Sequence, residues 1–230
     1  MSTRLSAIAF DADDTLWHNE RFFKLTQEHF AESLAPFAPG TDLDTLLMLA
    51  ERRNIQRYGF GIKGFVLSMI ETALEVTENQ VPGDVIAGLI AAGHEMLEYP
   101  IELLPFARDA VIAAKSYGPV ILITKGDLLD QERKVVQSGL GEMFDDVAIV
   151  SDKVPATYTR ILGPQIDRAV MVGNSMKSDV RPMIDAGGWG VFVPHELSWD
   201  FEHAEAPNTH PRFREIEHLG ALPDVLEQIR

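Results

Sequence analysis

No cysteine occurs among the 230 residues, so disulfides and thiolate-bound metals are excluded, while oxygen-ligated cations such as Mg2+ stay open. Basic residues are also scarce: 20 Lys and Arg stand against 35 Asp and Glu, a net charge of −15. That balance argues against nonspecific binding to nucleic acid or to an anionic membrane. It also means that a small anionic substrate would need local compensation. Long hydrophobic runs are missing too. The N-terminal MSTRLSAIAFDADD holds too short an apolar run for a signal peptide, and no later stretch approaches the roughly 18 apolar residues of a membrane span. A cytoplasmic location is therefore expected. With 46% of residues apolar and no low-complexity tract, the chain has the profile of an ordinary globular protein. Its length suits one α/β domain or a core domain carrying an insertion.

What is present is a recurring short apolar run. LSAIAF, GPVILIT, DVAIV, RAVMVG and GWGVFV each read as a buried strand bounded by Gly, Pro or charge. Helical patterns at Pro105 to Lys115, Asp127 to Ser138, Pro155 to Leu162 and Ser175 to Ala186 alternate with the later runs. Such βαβ alternation implies a doubly wound, mainly parallel, Rossmann-like α/β sheet. Between about Trp17 and Pro100 the rhythm breaks into four helical segments with no strand between them. The expected organisation is a core of residues 1–16 and 101–230 with an all-helical insertion at 17–100, the return marked by Pro100 and Pro105. The apolar insertion helices could pair two subunits into a homodimer. The tail from His195 to Gly220 reads as surface loop and edge structure, and its histidines fit no compact metal-ligand spacing.

In an open α/β sheet, ligands bind beyond the carboxyl ends of the strands, and there this sequence gathers its polar residues. The first run ends in Asp11 and Asp13, the second in Thr124; the third is followed by Lys153, and the fourth by Asn174, Ser175 and Asp179. Asp11 and Asp13 are two apart, so in extended chain their side chains leave on the same side. One carboxylate could then attack a phosphorus while the other acts as general acid and base. Each piece alone has a plainer reading. DADDT suits an Asx turn with Asp14 or Thr15 capping the next helix, Thr124 an ordinary strand-end hydroxyl, Lys153 a surface charge, and Ser175 a helix N-cap.

Taken in order, the segments FDADDTL, LITKG, SDKVP and VGNSMKSD resemble the four motifs of the haloacid dehalogenase-like hydrolase superfamily, and the likeness covers nearly the whole chain. The resemblance implies Asp11 as nucleophile, Asp13 as acid and base, and Thr124 and Lys153 as catalytic groups on the phosphoryl oxygens. Lys125 joins Thr124 and Lys153 as a substrate-binding candidate. Asp11, the Asp13 carbonyl, Asn174 and Asp179 would hold Mg2+, and the helical insertion would be a cap of the C1 type that closes over the site and selects a small phosphorylated substrate. Asn174 departs from the Asp common at the first acidic position of the fourth motif, so it offers an oxygen without charge, and weak Mg2+ binding is expected. Because Asp13 supplies a proton that a halide leaving group does not need, a phosphatase is expected over a dehalogenase. A phosphomutase and a noncatalytic phosphate-binding protein are the alternatives. The segment RRNIQRYGFGIKGF, with Lys63, is a candidate substrate loop, or equally a solvated basic helix face followed by a turn.

Overall fold

The computed structural model describes residues 4–197, 199 and 202–230. Two units divide the chain: Met1–Glu20, Ile101–Lys125 and Gln131–Arg230 form one, and Arg21–Pro100 with Gly126–Asp130 form the other.

The first unit is built on six strands, β1 (Ala7–Phe10), β2 (Val120–Lys125), β3 (Asp146–Val150), β4 (Ala169–Gly173), β5 (Trp189–Phe192) and β6 (Phe213–Glu215). They pair in the order β3-β2-β1-β4-β5-β6, every pair parallel. The five apolar runs of the sequence are β1 to β5; β6 is an addition at the edge, within the tail read as loop and edge structure. β1 is buried throughout, which explains its unbroken apolar sequence: helices cover both faces of a parallel sheet. Alternation sorts its side chains, Ile8 and Phe10 to one core with α5 (Ala107–Ala114) and α9 (Leu222–Ile229), Ala7 and Ala9 to the other with α7 (Pro155–Leu162) and α8 (Arg181–Asp185). β1 lies between β2 and β4, so the strand order reverses there, and the loops leaving β1 and β4 part to make the crevice of a doubly wound fold.

The second unit contains α1 (Glu20–Leu34), which begins one residue inside the first unit, α2 (Leu43–Tyr58), α3 (Ile62–Val76) and α4 (Gly83–Glu98). Their apolar stripes meet in a core of Phe30, Leu34, Leu47, Phe65, Met69, Leu89 and Met96. A Cβ at Gly93 would overlap Val66, so α3 and α4 approach closely at that residue.

The division falls at Glu20 rather than before Trp17, because Trp17 is fully buried in the sheet unit's core and bridges Asp13 and Leu103. Residues 126–130 also group with the helices rather than with the sheet. There Asp127 accepts a hydrogen bond from the Lys63 backbone N–H (3.1 Å) and pairs with the Lys63 ammonium (3.4 Å). Gly61, at φ 127° and with no room for a Cβ beside Asp127, permits that approach. α6 (Leu128–Gln137) begins in this segment and continues into the first unit.

Candidate active site

The site begins where β1 ends. The Asp11 N–H donates to the Val172 carbonyl (2.9 Å), extending the β1–β4 ladder by one residue and fixing the Asp11 backbone. The chain then turns sharply, Leu16 N–H to Ala12 O at 2.8 Å and Asp14 N–H to Trp17 O at 2.7 Å. Asp14 takes the left-handed conformation, φ 59°, which Asp tolerates better than most residues. Its carboxylate accepts the Asn19 and Glu20 N–H groups (2.9 Å each) at the start of α1. Asp14 is thus the helix-capping member among the three aspartates of DADD, in keeping with the plain reading of that residue.

Asp11 and Asp13 have different surroundings. Asp11 is buried; Lys153 Nζ donates to its Oδ1 and, at 2.8 Å, to Asp179 Oδ1. Burial first, then the Asp179 charge, raise the Asp11 carboxyl to about 7 against the pull of Lys153. Burial alone would lower Lys153, but the Asp11 and Asp179 carboxylates outweigh it and hold the ammonium above its ordinary range. Lys153, 3% exposed, is therefore no solvated surface charge.

Asp13 instead faces α6. Its carboxylate accepts from Trp17 Nε1 (2.7 Å), Gln131 Nε2 (2.8 Å) and Lys134 Nζ (3.1 and 3.2 Å). Gln131 Oε1 accepts the hydroxyl proton of buried Thr124 (3.2 Å). Sequence reasoning missed Gln131 and Lys134. The available signal was two polar residues, three apart, on the same helical face as Val135 and Ser138, all buried.

The loop after β4 completes the arrangement. Ser175 caps a single π turn, Met176–Val180, its Oγ accepting the Ser178 N–H at 2.8 Å. Asp179, fully buried, turns back so that its Oδ2 accepts the Ser175 N–H (2.9 Å). A Cβ at Gly173 would collide with that carboxylate. Thr15 Oγ1 donates to Asp11 Oδ2 (3.1 Å) and accepts the Asn174 backbone N–H (3.0 Å). With its nitrogen turned inward, the Asn174 side-chain amide donates to the Asp13 carbonyl (3.2 Å), Asp11 Oδ2 (3.2 Å) and Thr15 Oγ1 (2.9 Å).

These spacings bear on a metal. Octahedral Mg2+ takes oxygens at about 2.0–2.1 Å, so neighbouring ligands lie roughly 3 Å apart. The Asp13 carbonyl and Asp11 Oδ2 each lie 3.2 Å from the inner Asn174 amide atom, and turning the amide over presents a third oxygen. The residues present therefore fit an oxygen-ligated cation. Among the described residues no group of three or more His, Cys, Asp or Glu side chains forms a metal site by itself, because one oxygen here is a backbone carbonyl and another an amide.

Lys125 is differently engaged. Its Nζ donates to Ser178 Oγ (2.7 Å) and pairs with Glu202 (2.5 Å), and Ser175 Oγ also donates to Glu202. Burial would raise Glu202, but Lys125 and then the serine hydroxyls outweigh it and hold the carboxyl low. The tail thus returns a carboxylate to the β4 loop. His195 is likewise no free surface histidine, its Nε2 standing 3.7 Å from Asp14 and its ring edge-on to His18.

A parallel sheet with its strand-order reversal at β1, and carboxylates and a lysine gathered beyond it, define a doubly wound α/β protein with its candidate site at the switch point. The model of the haloacid dehalogenase-like hydrolase family matches residues 5–187, and the chain belongs to that family. It is 36% identical to a haloacid dehalogenase-like family hydrolase from Xanthomonas campestris, covering 98% of this chain and 92% of that one at a TM-score of 0.88. Two proteins called glyceraldehyde 3-phosphate phosphatase are each 27% identical over 98% of this chain. One, from Methanothermobacter thermautotrophicus, is covered to 96%, and the other, from Pyrococcus furiosus, to 94%.

Proposed function

We propose that the protein is a phosphohydrolase that uses Mg2+ and an aspartyl-phosphate intermediate to act on a small phosphorylated metabolite. The observation that carries this reading is the separation of the two carboxylates of one loop. Asp11 is paired with a buried lysine, and Asp13 is held among proton donors on α6. Carboxylates placed in contrasting surroundings serve as nucleophile and proton carrier.

In the first step an Asp11 oxygen attacks phosphorus. The bond to the leaving oxygen breaks as the Asp11–phosphorus bond forms, and Asp13 gives its proton to that oxygen. Water then attacks the same phosphorus, its proton passes to Asp13, and the Asp11–phosphorus linkage breaks to release phosphate and restore both carboxyl groups. Lys153 steadies the negative charge on Asp11 and the phosphoryl group, and Thr124 turns its hydroxyl to a phosphoryl oxygen. Mg2+, held by Asp11, the Asp13 carbonyl and Asn174 with Asp179 behind them, would neutralise phosphoryl charge when bound. A halide leaving group has no use for the Asp13 proton, so a phosphoester is the fitting substrate. The names of the two curated relatives support a phosphorylated compound as small as a three-carbon aldehyde. In this reading the helical unit is the cap that selects the substrate, and the enzyme works in the cytoplasm. Among the described residues no helix is long and apolar enough to cross a membrane.

Hydrolysis of a phosphoester panel, containing 4-nitrophenyl phosphate, simple alkyl phosphates and three-carbon phosphates, tests the reading with Mg2+ and with EDTA. Turnover that needs Mg2+ is expected, with a loss on the order of 10³-fold or more in Asp11→Asn. Absence of turnover on the whole panel, or full activity in Asp11→Asn, would sink it.

A further inference from the structure

Of the site's carboxylates, Asp13 is the one held by α6. Oδ1 accepts from Trp17 Nε1 and Lys134 Nζ, and Oδ2 from Gln131 Nε2 and Lys134 Nζ, all at 2.7–3.2 Å. An ionised carboxylate has about four lone-pair sites, and each is answered here. Lys134 also donates to Asn19 Oδ1 (2.7 Å), beyond the same catalytic loop. Gln131, through its other amide atom, takes the Thr124 hydroxyl. One face of α6 therefore touches both the proton carrier and the phosphoryl donor. Burying an ammonium and an amide in this way costs desolvation that two apolar residues would avoid. Packing α6 against the sheet does not require either group.

We propose that Lys134 and Gln131 are positioning residues for proton transfer by Asp13, a role that rests on the phosphohydrolase reading above. Four contacts from three donors leave this carboxylate no free lone pair, so every proton transfer at Asp13 must open one of those contacts. Lys134 bridges both oxygens. It can keep its hold on one oxygen while the other reacts, so the side chain stays anchored through the step. Gln131 accepts the Thr124 hydroxyl before substrate is bound, so the hydroxyl stands beside that anchor when it turns to the phosphoryl group.

The consequence is a dependence on the leaving group. 4-Nitrophenolate leaves without much help from an acid, whereas an alkoxide needs its proton. In Lys134→Met and in Gln131→Leu, kcat/KM, which reports the transfer onto Asp11, is expected to fall about 10–100-fold for the best alkyl phosphate of the panel and by less than about threefold for 4-nitrophenyl phosphate. Lys134→Arg, which keeps a cation able to bridge two oxygens, should recover part of the alkyl ester's loss. The indole N–H resonance of Trp17, whose donor shares Asp13 Oδ1 with Lys134, should shift in Lys134→Met. Equal losses on the two esters, or no loss on the alkyl ester, would overturn the proposal in favour of plain packing. If Lys134→Met does not fold, Gln131→Leu is read by the same criterion; if neither folds, the pair is structural and the proposal fails. A wild-type protein without turnover on either ester, or an active Asp11→Asn, would instead defeat the phosphohydrolase reading itself.

Discussion

Asn174 sets a compromise at the scale of one residue. Its amide nitrogen has Asp11 Oδ2, the Asp13 carbonyl and Thr15 Oγ1 within reach of its two N–H groups, so the side chain suits the metal-free site as a donor and a metal-bound site only after turning over. An aspartate there would add charge, and at an effective dielectric near 20 a unit charge about 4 Å away is worth roughly 4 kcal/mol. Asn174→Asp is therefore expected to tighten Mg2+ binding by tenfold or more on the order-of-magnitude scale of that interaction, as read by calorimetric titration. It should also lower the melting temperature in EDTA, where the added carboxylate stands uncompensated beside Asp11. Unchanged affinity would show that Asn174 lies outside the metal's reach. A second residue, Glu51 on α2, has no hydrogen-bond or ion-pair partner among the described residues, and burial raises its carboxyl from 4.5 to about 7. Between those two values the unfolded chain has released this proton and the folded chain has not. Glu51 thus makes stability fall as pH rises through that window. Glu51→Gln should stabilise the protein by on the order of 1–3 kcal/mol at pH 8 and have little effect near pH 4.5, measured by denaturant unfolding at both pH values. Equal effects at the two would remove burial of the charge as the cause.

At the scale of elements, the turn after β4 shows how backbone shape governs the site. The π turn Met176–Val180 carries an i to i+5 bond, Val180 N–H to Ser175 O at 3.1 Å, and such turns insert a residue where an α-helix has none. The result directs Asp179 back toward Ser175 N–H and Lys153. Gly173 leaves the space that this carboxylate fills. Gly173→Ala should push Asp179 away and leave Lys153 with one fewer partner, costing about 1–3 kcal/mol in stability and lowering turnover with it. Thermal unfolding and steady-state rates check both; a wild-type rate would mean that the Asp179 position is not critical. Legibility also varied by element. β1, β2 and β4 are continuous apolar runs, and their ends could be read directly from the chain. β6 spans only Phe213–Glu215 and pairs on one side with β5, too short for an alternating pattern to show. α6 was visible as a helix, but its inward polar pair was not, because Gln131 and Lys134 meet Asp13 across 118 and 121 residues of chain. The tail held the same kind of surprise: Glu202 reaches Lys125 across 77 residues, so a side chain proposed for substrate has a carboxylate partner within the protein.

For the whole molecule, the net charge of −15 makes the surroundings unfavourable to an anionic substrate until it is close to Lys153 and the metal. The Debye length falls from about 30 Å at 0.01 M to about 10 Å at 0.1 M ionic strength. With Mg2+ saturating, kcat/KM for a phosphate ester should therefore rise over that range as long-range repulsion is screened. A fall would indicate that a positive local field dominates the approach. The sequence by itself determined the periodic elements and the residues each strand delivers: Asp11 and Asp13 after β1, Thr124 at the end of β2, Lys153 after β3, and Asn174 with Asp179 after β4. Those follow from local apolar patterning and from the rule that a doubly wound sheet gathers its strand ends. Only the tertiary structure decided which groups meet there: Lys153 between Asp11 and Asp179, Lys134 and Gln131 on Asp13, and Glu202 on Lys125. The reason is physical. Periodicity reports which side of an element is buried, whereas the partner found there depends on contacts between segments far apart in the chain.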